Sequence, residues 1–123
     1  MTPSRWISIG ALCCALTVTL GALGAHLLKE RLVGELGEWW FKAGFYGGFH
    51  ALGLIALGLL GARAKNSIGW LMLAGIVLFS GSLYAMALGA PRWFGAITPF
   101  GGVAFIAAWL VLAWSTWNEP KRA

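Results

Sequence analysis

NSIGWLMLAGIVLFSGSLYAMALGAP, residues 66–91, decides the fold: 26 residues without a charge, closed by Lys65 on one side and Arg92 on the other. A helix needs about 20 apolar residues to cross roughly 30 Å of hydrocarbon, so this stretch is long enough to span a bilayer. Inside it the segment LFSGSLYAMA, residues 78–87, sets Ser80, Gly81, Ser82 and Tyr84 close together. Hydroxyls surrounded by hydrocarbon need hydrogen-bond partners. What these groups face is the question the rest of the chain must answer.

The same punctuation recurs on either side. Between Arg5 and Lys29 lie 23 uncharged residues, between Lys42 and Arg63 lie 20, and between Arg92 and Glu119 lie 26. Four such runs joined by short charged links predict an all-α polytopic membrane protein, a four-transmembrane-helix bundle forming one domain. The predicted spans are about residues 6–28, 43–62, 68–88 and 94–117 or 99–117. Composition agrees: 59% hydrophobic, 11% charged and a mean hydropathy of +0.78 exclude an ordinary soluble domain. A net charge of +5 would suggest nucleic acid in a soluble chain, but here the basic residues stand at span ends, where they anchor helices. No nucleic-acid partner is expected; the bilayer is.

The first run resembles a signal peptide, but its 23 uncharged residues exceed the ~7–15 of a signal core, so it reads as a retained span. Cys13 and Cys14 are neighbours in that run, point about 100° apart on a helix, and read as small packing residues. Orientation follows from Lys and Arg. Arg5, Arg63, Lys65, Lys121 and Arg122 lie on one side, against Lys29, Arg31, Lys42 and Arg92 on the other, which favours both termini in the cytoplasm.

Small residues mark the expected helix contacts. Gly10, Cys14, Thr17, Gly21 and Gly24 recur at steps of four and three, with Ala25 four residues beyond Gly21; Gly44, Gly48, Ala51 and Gly58 repeat the device in the second run. In lipid, where no hydrophobic force separates helix from solvent, such residues let backbones approach closely. Gly81, Ser82, Gly101 and Gly102 are the expected counterparts in the last two spans. The first link, KERLVGELGEWWFK, combines charges with Trp39, Trp40 and Phe41 and is expected to contain a short amphipathic segment on the membrane surface. In the fourth run Pro99 is best accommodated as a first helical residue, with Thr98 before it as N-cap. Residues 89–97 are then an interfacial connection, and Trp109, Trp114 and Trp117 belong to the far half and its aromatic belt. The alternative is a helix from near Trp93 kinked at Pro99.

Depth counting gathers the polar residues at one end, the outer mouth formed by the first and third links. His26 lies beside Lys29; Tyr46 and His50 share a face of the second span (i, i+4), with His50 about 12 Å below Lys42 by helical rise. Ser80, Ser82 and Tyr84 occupy the same half of the third span, and Thr98 opens the fourth. His26, Tyr46, His50, Ser80, Tyr84 and Thr98 are therefore the expected lining of a polar pocket, while Ser82 packs as a small residue. His50 is the one ionisable residue at real depth, which by default makes it a functional candidate. It reads either as a neutral imidazole bonded to a tyrosine or serine hydroxyl or as a group that handles protons or solute. No cofactor or metal site is expected: His26 and His50 differ in depth, which suits one haem poorly, and no Cys/His/carboxylate spacing matches zinc. No catalytic residues can be assembled, and no enzyme activity is expected.

Gly21-Ala-Leu-Gly-Ala-His26, Tyr46-Gly-Gly-Phe-His50-Ala51, Leu78-Phe-Ser-Gly-Ser-Leu-Tyr84 and Thr98-Pro-Phe-Gly-Gly102 with Phe105 and Trp109, in this order, resemble the YgdD/YwdK-like family of small four-span membrane proteins. The likeness covers nearly the whole chain and implies its architecture and a bacterial inner-membrane location, without implying a reaction or ligand. Gly47 departs from the pattern, which would place a glutamine between tyrosine and histidine. The function expected is a structural or accessory subunit, packing with itself or with a larger membrane complex. The competing expectation is a small solute, ion or proton pathway around His50.

Overall fold

A computed structural model describes residues 1–120, apart from the side chain of Ala62; Lys121 and Arg122, counted above for orientation, lie outside the described residues. Four helices are long and apolar enough to cross a membrane, and no strand occurs among the described residues. Helix α1 runs over Pro3–Ala25, opened by Thr2, whose hydroxyl accepts from the Arg5 backbone, and by Pro3 in the first turn. Helix α2, Glu35–Leu60, starts after Gly34 at φ +58° and stops at Gly61 at φ +64°. Both are left-handed conformations that glycine adopts without strain. Helix α3 covers Asn66–Ala87, its middle turn, Ile76–Ser80, widened into a π turn. A short 3₁₀ segment, Arg92–Ala96, leads into α4, Thr98–Trp117.

Two boundaries differ from expectation. The surface segment predicted in the first link is absent: α2 starts at Glu35, so Trp39, Trp40 and Phe41 belong to its first turns. The reason is Trp40, which is buried and donates its indole N–H to the Leu20 carbonyl of α1 at 2.9 Å; it packs inward and carries the helix out of the hydrocarbon. Glu35 and Glu38 in the first turn suit the positive helix end. In α4, Pro99 does occupy the first turn, but Ile97 rather than Thr98 holds the N-cap position, and no side chain caps it.

The four helices share a core but pair unevenly, α2 also meeting α4 through His50, Phe105 and Trp109. α1 lies along α2, α2 along α3, and α3 carries α4. Helix α2 is the axis, with Trp40, Ala43, Gly47, His50, Ala51, Gly53, Leu54, Leu57 and Gly58 buried, whereas α1 buries only Trp6 and Gly10. Trp6, Leu54, Leu57, Ile68, Met72 and Ala108 make the core of the inner half, and Ala43, Leu83 and Met86 that of the outer half. Trp6 lies flat over Gly69 and donates to the Asn66 side chain at 2.9 Å, tying the start of α1 to the start of α3.

Close backbone approach is real but falls partly elsewhere than expected. A Cβ on Gly10 would meet the Ala51 carbonyl at 2.7 Å, and one on Gly58 the Pro3 carbonyl at 2.6 Å. Gly48 meets Thr17 at 3.2 Å, Gly44 meets the Tyr84 hydroxyl at 3.2 Å, and Gly101 lies directly on the Phe79 backbone. Gly21 and Gly81 touch nothing, and Ala25 is exposed. The indole of Trp40, seated over Gly24, props α1 away from α2 at the outer end, so Gly21 and Ala25 line an open gap. Gly81 points to the side of α3 that no other helix covers.

Candidate functional site

His50 lies 3% exposed on the face of α2 turned toward α4. Its Nε2 is 2.9 Å from the indole nitrogen of Trp109 and its Nδ1 is 2.7 Å from the Tyr46 carbonyl. An indole N–H only donates, so Nε2 must accept and Nδ1 carries the proton and donates to Tyr46. The ring lies flat on Phe105, centroids 3.5 Å apart and planes 9° apart. This is a neutral imidazole with both nitrogens in use. A proton or a metal at Nε2 would have to displace the Trp109 bond.

The remaining polar residues go to different places. Ser80, 3% exposed, donates to the Ala43 carbonyl of α2 at 2.7 Å. Gly47 makes room for it, since a Cβ there would lie 2.8 Å from Ser80 Oγ. Ser82 faces the opposite neighbour: its hydroxyl is 2.6 Å from that of Thr98 and donates to the Phe79 carbonyl at 3.0 Å, so it bonds as well as packs. Tyr84 packs edge-on against Trp40, centroids 4.7 Å apart, in the gap between α1 and α2. Tyr46 is partly exposed and sets its ring edge-on against Phe79. His26 is exposed just beyond α1, with no side-chain hydrogen bond among the described residues.

The expected single polar pocket is therefore divided. Tyr46 and His50 share one cleft, Tyr84 lies in a second with Gly21, Ala25 and Gly44, and Thr98 in a third with Trp39 and Arg92. His26 joins none of these three, and Ser80 is sealed between helices. The physical reason is that each hydroxyl meets the backbone or hydroxyl of the helix beside it before it can reach a common centre. Among the described residues no buried side-chain polar atom lacks a hydrogen bond.

Sequence reasoning missed the partner of His50. Trp109 was assigned to the far aromatic belt, but it is the twelfth of the twenty residues of α4, which puts it at mid-membrane, level with His50. That count was the available signal. Trp114 and Trp117, five and eight residues further on, are exposed as belt residues should be.

Both membrane faces are fastened by charge. At the outer mouth Arg92 pairs with Glu35 at 2.6 Å and lies over the Trp39 ring, and Arg31 donates to the Leu88 carbonyl at 2.7 Å, at the negative end of α3. At the opposite face Arg63 pairs with Glu119 at 2.6 Å, which raises the guanidinium further above its usual range through hydrogen bonding first and charge second.

The family model described as "Protein of unknown function (DUF423)" matches residues 20–102, which hold the outer part of α1, all of α2 and α3, and the start of α4. The chain belongs to the DUF423 family. It is 46% identical over 116 residues to a UPF0382 membrane protein of Staphylococcus haemolyticus, covering 92% of this chain and 95% of that one. It is 43% identical over 112 residues to the UPF0382 membrane protein YwdK of Bacillus subtilis, covering 87% and 91%. No solved structure matches. Membership in DUF423 agrees with the resemblance read from the sequence motifs. The matched stretch holds four of the cross-helix bonds described above: Trp40 to Leu20, Ser80 to Ala43, Ser82 to Thr98, and Arg92 to Glu35.

Proposed function

We propose that this DUF423 protein is a non-catalytic accessory subunit, a packing partner for a second copy of itself or for a larger membrane complex. The observation that carries the reading is the contrast between a fully bonded interior and a thinly covered α1. Only Trp6 and Gly10 of that helix are buried, and its outward side sets Ala11, Ala15 and Ala22 at helical spacing, with Val18 among them and Leu12 and Leu16 beside them. The uncovered side of α4 instead carries Phe100, Val103, Ile106, Leu110 and Trp114. Large apolar residues suit lipid; small ones suit another helix backbone. The location that fits is a bacterial inner membrane, with both termini in the cytoplasm.

The His50 bonds weigh against a proton or solute pathway, because such a relay needs a nitrogen that can exchange partners. Native mass spectrometry from mild detergent tests the reading. A dimer or a copurifying membrane protein is expected. An isolated monomer with no companion would overturn it.

A further inference from the structure

One feature without an assigned role is the cleft between α2 and α4, floored by Phe79 of α3. Its volume is about 570 Å³, within the size range of small-molecule sites. Phe45, Phe49, Phe105, Ile106 and Trp109 make its walls apolar, and His50 at its base has no free nitrogen. Gly102 leaves the floor open: a Cβ there would touch only Phe79, at 3.9 Å. The cleft opens sideways, between the exposed faces of Phe45 and Phe49 on one helix and Ile106 on the other. Its opening therefore gives onto hydrocarbon.

Two polar groups sit at its outer end. Lys42 bounds the uncharged part of α2 and lines the cleft. Among the described residues it belongs to neither of the ion pairs, which join Arg63 to Glu119 and Arg92 to Glu35, and Glu38 one turn above forms no pair with it. Tyr46, one turn below and 42% exposed, makes no side-chain hydrogen bond among the described residues. Residues four apart share a helix face, and side chains lean toward the helix N-terminus, here the outer surface. The ammonium and the phenol O–H therefore converge at the level of the headgroups, above an apolar trough about 12 Å long from Lys42 to His50.

We propose that this cleft holds one acyl chain of an anionic phospholipid, whose phosphate is bound by Lys42 and Tyr46. An apolar trough open to hydrocarbon and closed above by an unpaired cation fits that amphiphile in both halves. A neutral lipid would satisfy the walls alone, and a partner helix would bury the Lys42 charge.

The test is native mass spectrometry of the delipidated full chain, titrated with phosphatidylglycerol or phosphatidylcholine. Phosphatidylglycerol should bind about fivefold more tightly, the preference expected of one lysine near an anionic surface. Lys42→Gln should abolish that preference while leaving phosphatidylcholine binding intact. Gly102→Leu, whose Cβ would meet only Phe79 at ordinary contact distance and whose branch fills the floor, should lose both adducts by roughly tenfold, a loss read against helicity measured by circular dichroism. Leu12→Phe on α1 should change neither. Equal binding of the two lipids to the native chain, or adducts unaffected by a correctly folded Gly102→Leu, would overturn the site. Recovery of a protein helix cross-linked at Ile106 in place of lipid would also overturn it.

Discussion

At the scale of single residues, the interior is held by hydrogen bonds whose donors are indoles, hydroxyls and the His50 imidazole and whose acceptors are backbone carbonyls, the Asn66 side chain, a hydroxyl in the Ser82–Thr98 pair and the His50 Nε2. In membranes such side-chain bonds are worth about 0.6 kcal/mol on average and up to ~1.7. The His50–Trp109 pair also has the Phe105 stack, so it should fall toward the upper end. A double-mutant cycle with His50→Phe and Trp109→Phe, followed by unfolding in mixed micelles, is expected to give a coupling near 1 kcal/mol. A coupling indistinguishable from zero would mean that the bond does not form. The glycines supply a second contrast. Gly101→Ala would set a methyl against the Phe79 backbone and should cost about 1–3 kcal/mol. Gly81→Ala faces open space and should be neutral, or stabilising by up to about 1 kcal/mol through helix propensity. His50 was legible in the sequence as the one ionisable residue at depth, with a tyrosine or serine hydroxyl expected as partner if it was a bonded neutral ring. The partners are the Tyr46 carbonyl and the Trp109 indole. The indole was not legible, because a tryptophan in a membrane chain reads first as an interfacial anchor. Gly47 was legible only as a departure from a motif, since nothing in the sequence places Ser80 against it.

At the scale of elements, counting uncharged residues located every span but misplaced one boundary by about two turns. Charge counting measures the width of the hydrocarbon, and a helix need not end where the hydrocarbon does. α2 reaches Glu35 because Trp40 finds Leu20, and the charges of its first turns stand in the headgroup layer. Trp40→Phe removes that indole bond and should loosen α1 selectively. Hydrogen exchange should rise through residues 14–25 with little change in α3 and α4, and uniform protection across the chain would contradict this. The π turn over Ile76–Ser80 lies midway along α3, between Gly75, packed on Phe105, and Ser82, bonded to Thr98. No pattern of apolar residues announces it. The placing of Pro99 in the first turn of α4 was readable because proline tolerates few positions, whereas the loss of Thr98 as a cap was not. Its hydroxyl had a better partner on another helix.

At the scale of the whole molecule, four spans and a shared face for the two termini follow from charge spacing alone. The pairing of the helices does not, because small-residue stripes appear on α1 and α2 alike and only packing shows which of them meet. α2 packs on α1 and α3 and, through His50, on α4, while still exposing Phe45, Phe49, Leu52 and Leu59; α1 packs chiefly on α2. That asymmetry is the basis for the proposal that the protein joins a larger assembly through α1, with the cleft between α2 and α4 left to lipid. Photo-cross-linking in intact membranes tests the assignment most directly. A benzophenone amino acid placed in turn at Ala11, Ala15 and Ala22 on α1, and at Val103 and Leu110 on α4, should yield protein adducts from the first set and lipid adducts from the second. Lipid adducts alone from all three α1 positions, or protein adducts confined to α4, would contradict the account.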